Sequence, residues 1–196
     1  MIICRLVAVL AVALMLTGQA PARAADIGGP FALVDHHGNR VTQESYGDKY
    51  LLIFFGYTYC PDVCPTELLV FGETLDALGG KAARVQALFI TVDPERDTPK
   101  ILAEYLANFH PDLIGLTGTA AEIADAAGAY RVFFRKSPTE DEEDEEAPST
   151  GADAYLVDHT SIVYLMDPDG EFVRHFVFGQ GGETLAGEIE KILDAD

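Results

Sequence analysis

Basic side chains are scarce in this chain: 13 Lys and Arg stand against 32 Asp and Glu, a formal charge of −19. A surface of that sign excludes nucleic acid and anionic membrane surfaces as partners and favours cations, metal ions and basic protein faces among them. Cysteine is scarcer still, with three in 196 residues, and one of them, Cys4, falls in an N-terminal leader. The remaining two are too few for a disulfide framework, which makes the pair a candidate site. There is no internal repeat, and no linker apart from one acidic insert; Gly179-Gln180-Gly181-Gly182 has glycines but no phosphate-loop pattern. The length suits one domain with its own core, and 48% hydrophobic with 23% charged residues is a globular balance.

The long apolar run is confined to the N-terminus. Arg5 is a minimal basic region, Leu6 to Leu16 is continuously apolar, and Ala22-Arg23-Ala24 has the small-x-small form of a cleavage site. This predicts an export signal over residues 1–24, cleaved before Ala25, and a mature domain over 25–196. An uncleaved anchor is the alternative, although the run is shorter than the about 20 residues that span a bilayer. The expected location is periplasmic, either soluble or held at the inner membrane by this segment. Cleavage would remove two of the few basic residues, Arg5 and Arg23. In an oxidising compartment a close cysteine pair is oxidised unless it is reduced or held by a metal.

Phe31 to Thr42 alternates apolar and polar residues about a His37-Gly38-Asn39 turn and reads as a β-hairpin, with His36 and His37 at an exposed tip. Tyr50 to Phe55 is apolar throughout, as a strand buried on both faces is. From Thr66 to Leu78 the apolar residues keep a helical period, Pro65 fits a first turn, and Gly79-Gly80 ends the helix. Val85 to Val92 is a second buried strand. The loop Asp93 to Pro99 follows, with Asp93, Arg96 and Asp97 tying it to itself. A helix over 100–109 capped by Thr98, a strand over 113–116 and a helix over 120–129 capped by Thr119 come next. Val132-Phe133-Phe134 is apolar but brief. The run over 139–151, with its acidic core at 140–146, is too repulsive to pack and reads as a solvated loop, or as a steering surface for a cationic partner. Strands over 161–166 and 171–178, joined at Asp167-Pro168-Asp169-Gly170, and a helix over 183–193 complete the chain. This order predicts an α/β, thioredoxin-like sandwich with an added N-terminal β-hairpin.

Chemistry concentrates at Cys60-Pro61-Asp62-Val63-Cys64, between the first buried strand and its helix. On one regular helix the two Cβ atoms would lie about 5–6 Å apart, whereas a relaxed disulfide wants about 3.8 Å. A bridge therefore requires Cys60 in the loop and Cys64 near the helix start. There both sulfurs face a positive helix N-terminus, which favours thiolates. The spacing alone does not choose between metal and disulfide chemistry. Asp158-His159-Thr160 enters the strand over 161–166, where thioredoxins carry a cis-proline facing the cysteine loop; here the segment offers a histidine. Two thiolates and an imidazole suit Cu(I) and Cu(II) better than Mg or Ca, while zinc wants a fourth ligand or an open position. Asp158 is a candidate to orient His159 or an exposed carboxylate. Tyr57 and Tyr59 are candidate walls of the site or core, and His110 and His175 are expected to bind nothing. A Thr-x-x-Cys peroxidase pattern is missing, because Thr58 stands only two residues before Cys60.

At these residues the chain resembles a known family. Phe55-Gly-Tyr-Thr-Tyr-Cys-Pro-Asp-Val-Cys-Pro-Thr66, Val92-Asp-Pro-Glu-Arg-Asp-Thr-Pro99, Val157-Asp-His-Thr160 and Tyr164-Leu-Met-Asp-Pro-Asp-Gly170 resemble the SCO/SenC copper-handling thioredoxin-like proteins, from about Phe31 to Leu193. The resemblance implies a metallochaperone, not an enzyme, which binds copper through Cys60, Cys64 and His159. It implies delivery to the dinuclear copper site of cytochrome c oxidase during assembly. The partners expected are the copper-site subunit of that oxidase and another periplasmic copper chaperone or thiol reductase. The rival expectation is a periplasmic thiol–disulfide oxidoreductase that reduces the cysteines of the copper-site protein, with Cys60 attacking and Cys64 resolving.

Overall fold

Strand β3 (Tyr50–Gly56) is buried at every position, and the architecture follows from covering both of its faces. The structure, a computed structural model, describes residues 27–138 and 155–196. The expected export signal and the acidic insert lie outside the described residues. β3 pairs in parallel with β4 (Val85–Thr91), Ile53 opposite Leu88, and antiparallel with β8 (Ile162–Met166), Ile53 opposite Tyr164. β4 pairs in parallel with β5 (Leu113–Thr117), and β9 (Phe172–Val177) closes the other edge against β8. The hairpin of β1 (Ala32–Asp35) and β2 (Arg40–Thr42) adds antiparallel to β5, Val34 opposite Thr117. The resulting order is β2-β1-β5-β4-β3-β8-β9.

Alternate residues of β3 point to opposite faces. Phe54 meets Phe71 of α1 (Val63–Leu78) and Phe89 of β4, and Phe89 in turn meets Tyr105 of α2 (Pro99–Leu106). Gly115 is what lets α2 settle on this face, since a Cβ there would lie 2.6 Å from Leu106 Cδ1. α4 (Gly182–Leu193) lies beside α1. Phe55 points the other way, to Tyr130, which ends α3 (Ala120–Ala129), and to Tyr164. The product is a thioredoxin-like α/β sandwich with the extra N-terminal hairpin, as expected.

Local signals placed most boundaries. Thr98 caps α2 by accepting from Ile101 N–H, and Thr119 and Glu122 form a reciprocal capping box at α3. At the β8–β9 turn Asp167 Oδ1 accepts from the N–H groups of Asp169 and Glu171, and Gly170 takes φ +80°. Three differences appear. α1 begins at Val63, three residues before the expected start, because the first-turn N–H groups need no intrahelical acceptor and Pro65 is therefore no barrier. α2 ends at Leu106, short of residue 109, where the chain leaves the helix in tight turns. A separate antiparallel ribbon, β6 (Phe134–Pro138) with β7 (Tyr155–His159), was not foreseen. Its strands are half-exposed and carry no continuous apolar face, so the usual strand signal is weak in them.

Candidate metal centre

The site forms where β3 stops. Gly56 is the last residue of the strand, and a Cβ on it would lie 2.7 Å from Cys64 Sγ and 2.7 Å from Phe89 Cε2. Only glycine leaves room for the sulfur against the strand. Cys64 occupies the first turn of α1 and is fully buried; Cys60 lies in the preceding loop and is half-buried. That is the division of loop and helix the spacing required. The Cys64 N–H, an unpaired donor of the helix N-terminus, points at Cys60 Sγ at 3.4 Å. Both thiols are free.

β7 ends on His159, whose Nε2 lies 3.5 Å from Cys64 Sγ. The three ligand atoms, two Sγ and one imidazole nitrogen, all lie within 4.8 Å of one another. His159 is oriented from behind. Its Nδ1 lies 3.2 Å from the Thr160 carbonyl; a carbonyl only accepts, so Nδ1 carries the hydrogen and Nε2 keeps its lone pair toward the sulfurs. Phe54 and Tyr57 hold the ring edge-to-face, at centroid distances of 6.0 and 5.9 Å.

The two thiols share a proton unequally. A hydrogen bond from Cys64 holds the Cys60 thiol down to about 4, against the opposing effect of burial. The same bond to Cys60, then burial, pushes the Cys64 thiol far up. The resting pair is therefore one thiolate, on the more exposed sulfur, and one thiol beneath it. Two soft sulfurs and one imidazole nitrogen can hold copper without rearrangement of the fold, and Cys60 faces the solvent side, where an incoming ligand would arrive.

Other residues singled out in the sequence fall elsewhere. Asp158 is exposed and paired with Arg135 Nη2 of β6 at 2.8 Å, so of its two readings the exposed carboxylate holds. Tyr57 is buried and its hydroxyl accepts from Val157 N–H at 3.1 Å; Tyr59 is exposed beside Cys60. His36 Nδ1 accepts from Gly115 N–H, and its ring sits against His37. His110 accepts from Asp112 N–H and lies 3.5 Å from Asp76, while His175 stacks on Phe172. Among the described residues, Cys60, Cys64 and His159 form the one group of His, Cys, Asp or Glu side chains that could hold a metal ion. The reading of the sequence missed Asp97 as an anchor of the cysteine loop: it is fully buried and accepts from the N–H and hydroxyl of Thr58, at 3.0 and 2.5 Å, and from Thr91 at 2.6 Å. It also missed Glu67, buried on α1 with Oε2 unpaired; its helical period was the available signal, since it falls on the face of Cys64, Leu68 and Phe71.

Comparison with known proteins gives the family of the chain. The SCO1/SenC family model matches residues 19–194. The chain belongs to the SCO1/SenC family. It is 44% identical over 165 residues to the human mitochondrial SCO1 homolog, which covers 83% of this chain and 50% of that protein. It is 46% identical over 169 residues to mitochondrial SCO1 of Saccharomyces cerevisiae, covering 86% and 53% respectively. The chain thus spans about half the length of the curated relatives it matches. Among solved structures, Bradyrhizobium japonicum ScoI with copper bound matches with a TM-score of 0.74 and 47% identity, over 84% of this chain and 98% of that one. Arabidopsis thaliana ScoI with copper bound matches with a TM-score of 0.77 and 38% identity, over 87% and 99%. No helix among the described residues is long and apolar enough to cross a membrane.

Proposed function

We propose that this SCO1/SenC protein is a metallochaperone whose cargo is copper, held by Cys60 Sγ, Cys64 Sγ and His159 Nε2. The observation that carries the reading is the convergence of these atoms within 4.8 Å at the N-terminus of α1. It is supported by the copper bound in the Bradyrhizobium, Arabidopsis and yeast structures that share the fold at 38–47% identity. Copper leaves by stepwise ligand exchange: a thiol or imidazole of the acceptor enters beside half-buried Cys60, and His159 and the buried Cys64 release last. The acceptor is the dinuclear copper site of cytochrome c oxidase during its assembly, the role the motif resemblance implies. The working domain begins at Ala25, after export by residues 1–24, and acts in the periplasm, either free or tethered.

Copper titration of the reduced protein tests the ligand set. Wild type should bind one equivalent per chain, and His159→Ala and Cys60→Ser should each weaken binding strongly. Undiminished binding in both variants would falsify the three-ligand centre.

One observation favours a second activity at the same place. Cys60 is a thiolate at neutral pH with a free thiol beside it. Its sulfur can attack a target disulfide to give a mixed disulfide. Cys64 then displaces the target, which leaves as a dithiol while Cys60 and Cys64 become the disulfide. Turnover of a disulfide-bonded acceptor peptide by Cys60→Ser at the wild-type rate would remove this reading.

A further inference from the structure

We infer that Arg96 is the positioning residue that sets the approach of Cys60 to His159, although it lies on neither ligand-bearing segment. The inference rests on the copper reading above. It starts from topology: β7, which delivers His159, pairs with β6 alone and belongs to a two-stranded sheet separate from the seven-stranded one. No described backbone ladder pairs β7 itself with β3, the cysteine loop or α1; the nearest, β8 on β3, starts at Val163, beyond His159. Between that ladder and the start of β7, side chains complete the registration.

Arg96 sits at that junction. Its side chain is 9% exposed and pairs with Asp93, 1% exposed. Nη1 donates to the Tyr155 carbonyl at 3.0 Å, and Tyr155, the first residue of β7, donates its hydroxyl to Asp93 at 2.7 Å. The guanidinium lies 3.7 Å from the centre of the Tyr155 ring, 4.6 Å from that of Tyr59 and 5.8 Å from that of Tyr57. Tyr59 immediately precedes Cys60. Tyr57 packs on His159 and holds β7 through Val157 N–H. A single cation thus grips the cysteine loop through one ring and the histidine strand through another. Next to it, Asp97 fixes the same loop at Thr58.

The choice of residue fits this role. A planar guanidinium donates in its plane to a carboxylate and a carbonyl while its faces stack on rings; an ammonium cannot do both. An apolar side chain could fill the volume but would leave Asp93 buried without its cation. The loop after β4, which contributes no ligand, is thereby the brace between the two segments that do.

Copper titration and Cu(II) absorption spectra of the reduced chain test the inference, on wild type, Arg96→Leu and Tyr59→Leu. Partners that orient metal ligands typically contribute 10- to 100-fold in affinity, so Arg96→Leu should weaken copper binding by roughly that factor. It should also shift the thiolate-to-copper charge-transfer band, a signature that loss of stability alone does not move. Tyr59 is 58% exposed, so Tyr59→Leu should melt like wild type and change binding and spectrum in the same direction. Wild-type affinity and spectrum in Arg96→Leu overturn the inference; should that variant not fold, the same result in Tyr59→Leu does so. A wild-type chain that binds no copper overturns instead the reading on which it rests.

Discussion

Adding one methyl group at the end of β3 tests how closely the fold and the metal centre are joined. In Gly56→Ala the new Cβ would meet Cys64 Sγ at 2.7 Å, Phe89 Cε2 at 2.7 Å and Phe54 Cε1 at 3.2 Å. The first two separations are about 1 Å inside carbon and sulfur contact distance, in a core packed at crystal density. Neither neighbour can swing away freely: Cys64 is fully buried, and Phe89 is held between Phe54 and Tyr105. Overpacking of this kind costs about 1–3 kcal/mol. For a chain of this size each kcal/mol lowers the melting temperature by roughly 2–4 °C. The sulfur must also move off its line to His159, so copper affinity falls with stability. Thermal melts and copper titration of Gly56→Ala, Cys64→Ala and the double variant separate these effects. Removing the sulfur removes one of the two closest contacts, so the methyl should destabilise the Cys64→Ala background by about 1 kcal/mol less than the wild type, within the range of coupling seen between touching residues. Equal destabilisation in both backgrounds, or a Gly56→Ala protein that melts and binds copper like wild type, would refute the packing argument.

Three further outcomes follow from the same geometry. Burial raises the Glu67 carboxyl to about 7; a raised acid contributes stability that is full below the ordinary carboxyl range and lost as pH rises through about 7. Between pH 5 and pH 8 the wild type should therefore lose roughly 1–3 kcal/mol of stability relative to Glu67→Gln, a difference read from melts of the two proteins, which share the opposing contribution of Cys60. Cys60, lowered to about 4, should react with iodoacetamide near its maximal rate at pH 6, while Cys64 stays unmodified in the folded protein; peptide mapping distinguishes the two. The thiolate's contribution to stability is full above the ordinary thiol range and fades as pH falls toward about 4. Asp158→Asn should leave the copper spectrum unchanged and shift stability by less than about 1 kcal/mol, since its carboxylate meets exposed Arg135 and not His159; a changed spectrum would give Asp158 the orienting role.

The residues that the sequence by itself determined are those whose surroundings are local. Tyr50 to Gly56 reads as buried because its apolar run has no polar alternation, and all seven residues are buried. Thr98 and Thr119 cap their helices through bonds to residues three positions on, and the Asp167 to Gly170 turn closes on itself. The division of Cys60 and Cys64 between loop and helix followed from the reach of two side chains four residues apart. His159 was nominated by its place in the chain order and by resemblance. Tertiary structure alone decided the rest, because those features depend on groups far apart in the chain. The 3.5 Å meeting of Cys64 and His159 closes a span of 95 residues, and the ribbon that brings it about has too little apolar pattern to announce itself. Asp93, Arg96 and Asp97 looked like a loop tied to itself; folding also ties that loop to Thr58, Tyr59 and Tyr155. Which sulfur carries the charge was decided last of all, since burial of Cys64 and its bond to Cys60 exist only once α1 has docked on β3.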